Sequence, residues 1–170
     1  MIKLKKKYKI LFSVIILLFF TNLNFTYAAS SGSSGSSSNS SNDKENLYKS
    51  GKNLVYRAKK LEKKNKIEKA KKLYLKAYKK FEKAYSKDKK NPDILNYLGF
   101  TLRKNGKLKE AETYYLKGLK FDAGHIGINE YLGELYVETN RIDLAKERLA
   151  VLKGCKCEEY EELKKIIENK

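Results

Sequence analysis

Leu95-Asn96-Tyr97-Leu98-Gly99-Phe100-Thr101-Leu102-Arg103-Lys104-Asn105-Gly106 opens a stretch that runs to His125, and its landmarks return between Asn129 and Glu159. Leu98-Gly99 is answered by Leu132-Gly133, Leu102 by Tyr136, and Lys104-Asn105-Gly106 by the Thr139-Asn140-Arg141 break. Ala111 and Tyr115 are answered by Ala145 and Leu149, so every landmark recurs after 34 residues. That period is the length of a helix–turn–helix unit that cannot bury its apolar face alone and must stack on its neighbours. Gly99, Gly133, Ala111 and Ala145 let helices approach closely, and Leu, Tyr and Phe fill the space between them.

Working back from that stretch, Leu47, Leu54, Ala58 and Leu61 recur at helical spacing, as do Ile67, Ala70, Leu73, Tyr74, Ala77, Tyr78, Phe81 and Ala84. Lys64-Asn65-Lys66 separates the two helices. Ala70 precedes Ala111 by 41 residues, seven more than the period. Seven residues make about two helical turns, so the insertion lengthens the second helix without rotating its apolar face.

Working forward, Asn91-Pro92-Asp93 starts a helix of about 92–104, with Pro in its first turn. Helices of about 107–121, 126–139 and 141–153 follow, Gly124 supplying a bend and Gly154 expected to end the last by left-handed capping. Glu158 to Asn169 forms a final helix with Tyr160, Leu163, Ile166 and Ile167 on one side, a solvating cap for the stack. The expected domain is 44–170, with repeats of about 51–91, 92–125 and 126–159 and a capping helix over 158–169.

The repeated pattern of a large residue, Leu-Gly, Tyr, Ala and an aromatic resembles the tetratricopeptide repeat, most closely over 92–153. Arg57 stands where that pattern has Leu, Ala58 where it has Gly, and Ala123 where it has Pro. Tyr131-Leu132-Gly133-Glu134-Leu135-Tyr136, with Cys155-Lys156-Cys157-Glu158-Glu159-Tyr160 and Leu163, is similar to a group of small exported bacterial proteins of this type. The resemblance implies an all-α, right-handed solenoid of three helix pairs and a capping helix. It implies a protein- or peptide-binding adaptor rather than an enzyme, and it names no partner.

The N-terminus reads as an export signal. Lys3, Lys5, Lys6, Lys7 and Lys9 lead an apolar run from Ile10 to Phe20, and Thr26-Tyr27-Ala28-Ala29 offers cleavage after Ala28 or Ala29. The run falls short of the ~20 residues a membrane-spanning helix needs, so cleavage is favoured over an N-terminal membrane anchor. The mature protein is then expected to be soluble and most simply periplasmic. Residues 30–43, rich in Ser, Gly and Asn, are expected to form a flexible linker.

Charge is unevenly spread. The chain carries 38 Lys and Arg against 20 Asp and Glu, a net charge of +18. Lys44 to Asn91 alone holds 19 basic and 5 acidic residues, whereas Pro92 to Lys170 holds 14 of each. Thirty-four of the basic residues are Lys, a bias that an AT-rich coding genome also produces, so total charge by itself says little about partners.

Catalysis finds no support. His125 is the single His, there is no Gly-rich phosphate loop, and no zinc-type Cys/His spacing occurs. No cofactor and no metal site is expected. Cys155 and Cys157 are the one unusual pair, read as a disulfide or packed thiols holding the cap, as a redox or intermolecular pair, or as a Cu(I) site.

The resemblance makes the exposed residues of each repeat's first helix the candidates for a concave groove. In the second repeat these are Asp93, Asn96, Phe100, Arg103 and Lys104; in the third, Glu130, Glu134, Val137 and Glu138; in the first, Lys52, Val55, Lys59 and Lys63. Phe100 would be an apolar anchor amid polar groups, unless it covers a neighbouring helix while Arg103 pairs with Glu134. The Lys/Asn clamp for a peptide carboxylate found in some family members is not reproduced. A second surface is the basic face of Lys69, Lys72, Lys76, Lys79, Lys80, Lys83 and Lys87, suited to anionic lipid, lipopolysaccharide phosphate or another polyanion. Tyr74, Tyr78 and Phe81 interleave with these lysines, but their helical spacing assigns them to the core, and export argues against nucleic acid. Oligomeric state is not readable from the sequence.

Overall fold

The computed structural model describes residues 37–170, with side chains from residue 42. Seven helices follow one another: α1 Ser37–Lys63, α2 Ile67–Lys87, α3 Pro92–Lys104, α4 Leu108–Leu119, α5 Ile126–Glu138, α6 Ile142–Leu152 and α7 Glu158–Glu168. No strand occurs among the described residues. The helices pair as α1/α2, α3/α4 and α5/α6. Each pair stacks on the next through α2 on α3 and α4 on α5, and α7 packs on α5 and α6. Gly35–Lys170 forms one compact unit with its own core; the other unit, Met1–Ser34, holds the export-signal expectation and lies outside the described residues.

The three turns inside the helix pairs are built alike. Asn65, Gly106 and Asn140 occupy equivalent positions, and each takes a left-handed backbone, with φ of 55°, 78° and 59°. Gly enters that region without a steric cost and Asn at a small one, which explains the residue types at these positions. Between pairs, Asn91 caps α3 by accepting from the Ile94 amide at 3.1 Å, and His125 Nδ1 caps α5 by accepting from the Ile128 amide at 3.1 Å. The single His is thus a helix cap. At the end of α6 the expected left-handed Gly154 is not found; Lys156 carries the positive φ, 49°, inside the Cys155–Cys157 turn. The disulfide that closes this three-residue segment places the reversal between the two cysteines.

Close approach is set where the repeat pattern has Gly. A Cβ on Gly99 would lie 2.5 Å from the Tyr115 ring, and one on Gly133 would lie 2.5 Å from Leu163 of the capping helix. Two apolar clusters result. One holds Val55, Ala58, Tyr74, Phe81, Ile94, Leu98 and Phe100; the other holds Leu102, Tyr115, Ile128, Leu132, Leu135 and Tyr136. Tyr78, Tyr114 and Tyr131 pack against both and join them into one core.

The first pair is the longest. α2 has 21 residues where α4 has 12, which agrees with the insertion read from the Ala70–Ala111 spacing. α1 is extended to match, and its start is tied to the end of α2 by Lys44–Asp88 at 3.0 Å and Asp43–Lys87 at 3.5 Å. Residues 37–43, expected within a flexible linker, are therefore helical. Once the packed turns after Leu47 have nucleated the helix, each further turn adds hydrogen bonds at a propensity cost of only about half a kcal/mol per Ser or Asn.

Candidate groove on the first helices of the repeats

α1, α3 and α5 bring their equivalent faces side by side, and a cluster of aromatic rings and charges sits at the centre. The Phe100 ring lies 4.8 Å from Tyr131 and 5.7 Å from Tyr74, centroid to centroid. The Lys59 ammonium stands 5.0 Å from the Phe100 centroid and 5.6 Å from that of Tyr131, with its nitrogen 3.4 Å from the Tyr131 hydroxyl. These are cation–π distances. Lys104 adds a fourth contact, 5.9 Å from Phe100, while pairing with Glu62 at 3.2 Å.

Phe100 is consequently not the exposed anchor expected from its position: it is 2% exposed and belongs to the core. Arg103 is buried as well. Its two terminal nitrogens donate to Glu134, at 2.5 Å, and to Glu138, while its Nε has no partner. Burial opposes its charge, but the Glu134 carboxylate, the Tyr115 oxygen and the Glu138 carboxylate together hold its pKa above the ordinary value. Asn96, Glu130 and Val137 are also covered, so five of the nine groove candidates in the second and third repeats are buried rather than exposed. The next repeat reaches Phe100 through Tyr131 and Arg103 through Glu134 and Glu138, and the capping helix reaches Glu130 through Glu162.

Four candidates remain reachable: Asp93 and Glu138 are exposed, and Lys104 and Glu134 are half-buried. Asp93 also faces His125 Nε2 at 3.3 Å. From the first repeat, Lys52, Lys59 and Lys63 are exposed while Val55 is buried. The accessible floor therefore runs from basic in the first repeat to acidic in the third, with Tyr97 and Tyr131 half-exposed along it. These two tyrosines escaped the candidate list. Their signal was present: Tyr56, Tyr97 and Tyr131 each stand two residues before Ala58, Gly99 and Gly133.

Glu130 is the most perturbed acid. It is 3% exposed, and burial pushes its carboxyl up to about 9, helped by the charge of Glu134, a hydrogen bond to Glu162, and the charges of Glu162 and Glu159 on α7. Burial and the neighbouring carboxylates favour its protonated form. Cys155 and Cys157 are joined in a disulfide before α7. In that state they offer no thiolate for a soft metal. Among the described residues no three His, Cys, Asp or Glu side chains converge as a metal site would require. Of the basic-face residues, Lys69, Lys72, Lys76, Lys79, Lys83 and Lys87 are exposed and Lys80 is half-buried.

Residues 80–113, from the second half of α2 into α4, match the family model of the tetratricopeptide repeat. The fold is similar to that of the type III secretion translocator chaperone SycD of Yersinia enterocolitica, at 19% identity and a TM-score of 0.56 over 81% of this chain and 93% of that one. An alternative dimer of the same chaperone matches at 17% identity and a TM-score of 0.51, over 71% and 88% of the two chains. A tetratricopeptide repeat protein of Parabacteroides merdae matches at 16% and 0.50, over 71% and 59%. No curated protein matches the chain by sequence. The architecture is thus an all-α solenoid of the tetratricopeptide type.

Proposed function

We propose that this tetratricopeptide-type solenoid is a non-enzymatic adaptor or assembly factor of the bacterial cell envelope, and that it holds an extended protein segment along the face of α1, α3 and α5. The observation that carries the reading is Lys59. Its ammonium is exposed and held over Phe100 and Tyr131, and among the described residues no carboxylate lies within ion-pair distance of it. A cation already positioned on a rigid aromatic floor pays little ordering entropy when it meets a carboxylate. The acidic end of the face, Glu134 and Glu138, favours a basic residue further along the same segment. The fold type supports binding over catalysis. The envelope assignment rests on the leader read from residues 1–29.

The test is photo-cross-linking in intact cells from residue 63, beside Lys59 in the groove, and from residue 109, on α4. A discrete protein adduct is expected from 63, absent from 109 and lost with Lys59→Glu. Identical adducts from both positions, or none from 63, would sink the groove reading.

A further inference from the structure

The end of the solenoid formed by α1 and α2 carries charge that nothing described neutralises. Lys69, Lys72, Lys76, Lys79 and Lys83 recur every three or four residues on the side of α2 away from its buried Ala70, Ala77 and Ala84. At 1.5 Å per residue they span about 21 Å. Arg57 and Lys60 on α1 and Lys64 in the turn after it line, with Leu61 and Leu73, a shallow cleft of about 220 Å³. The nearby acids are engaged elsewhere: Glu62 by Tyr74 and Lys104, Glu68 by Lys71, Glu82 by Tyr78, and Asp88 by Lys44. None of the five α2 lysines has an ion-pair partner among the described residues.

We infer that this two-helix face docks on an anionic phospholipid bilayer. The face offers point charges over a half-buried leucine seam, Leu54, Leu61 and Leu73, which suits a plane of headgroups. No row of free rings runs along the lysines for nucleobases to stack on: Tyr74 and Phe81 are wholly buried, Tyr78 packs between the two core clusters, and the exposed Tyr56 ring already carries the Lys60 ammonium 4.4 Å from its centroid.

The experiment uses residues 30–170, which contain the compact unit and lack the leader. Sedimentation is measured with phosphatidylcholine vesicles, with and without about 30% phosphatidylglycerol to set the surface charge. Binding is expected with the anionic vesicles only and is expected to fall with salt. Each lysine near such a surface multiplies affinity about fivefold, so Lys72→Gln, Lys76→Gln, Lys83→Gln loses about 100-fold. The control Lys109→Gln, Lys120→Gln, Lys153→Gln removes equal charge from exposed positions in the second and third repeats and is expected to keep most of the affinity. Helical circular dichroism of both triples shows that folding is intact. Equal loss in the two triples, no vesicle binding, or tighter binding to duplex DNA or polyphosphate at the same salt would overturn the inference. None of these outcomes bears on the Lys59 groove.

Discussion

The ammonium of Lys59 lies 3.4 Å from the hydroxyl of Tyr131, joining the first repeat to the third across the ring of Phe100. Two residues 72 positions apart thus meet over a third that belongs to the repeat between them. The stack is held at its centre by an aromatic ring and covered there by a cation, which separates the group that stabilises the stack from the group that lies over it.

That separation predicts different fates for neighbouring substitutions. Phe100→Ala removes a ring packed between Tyr74 and Tyr131 and is expected to cost about 3–5 kcal/mol. Lys59→Ala removes only exposed cation–π contacts and is expected to cost about 1 kcal/mol or less. Urea unfolding of both variants checks this; equal losses would mean that Phe100 is not a core residue.

Gly99 faces the Tyr115 ring so closely that a methyl group has no room, since its Cβ would sit at 2.5 Å and Tyr115 is wholly buried. Gly99→Ala is expected to destabilise by about 1–3 kcal/mol through overpacking. Gly124→Ala, whose Cβ would meet only Asp122 at 3.7 Å, is the matched control and is expected to be near neutral. Thermal melting distinguishes the two.

Glu130 makes stability depend on pH. Its folded pKa of about 9 lies above its ordinary value of 4.5, so between those values the native state holds a proton that the unfolded chain releases. Its contribution is therefore complete below about 4.5 and is lost as pH rises toward 9, with a slope of up to about 1.4 kcal/mol per pH unit. Glu130→Gln keeps the shape and a donor without titrating. It is expected to melt higher than the parent at pH 8 and to show a flatter profile. A parent melting temperature that does not fall between pH 6 and pH 9 would contradict the assignment.

The Cys155–Cys157 disulfide closes a very short loop, for which chain entropy gives a stabilisation of only about 1–2 kcal/mol. Reduction, or Cys155→Ser with Cys157→Ser, is expected to lower the melting temperature by a few degrees and to loosen α7 first. Amide exchange on Glu158–Glu168 measures that directly. Global unfolding on reduction would show that the bond holds far more than the cap.

Much of this was legible in the linear chain. The 34-residue recurrence, the extra turns of α2 and the Asn–Pro start of α3 are local or periodic signals, and each appears in the structure where it was read. The accessibility of the groove was not legible. Phe100 and Arg103 look exposed on one helix, but Tyr131, Glu134 and Glu138 reach them from the next repeat. Glu130 looks like any surface acid until α7 covers it. Residues 37–43 look like linker because Ser, Gly and Asn have no apolar side chains, yet a helix packed further along extends through them.

The sequence by itself determined the repeat, the helix pairs, the positions of close approach and the concentration of lysine in the first repeat, because periodicity and local propensity act between residues near in the chain. Only the tertiary structure decided which polar groups face solvent, which carboxylate keeps its proton and which cation is left without a partner. Those properties depend on desolvation and charge contributed by helices 30 or more residues away.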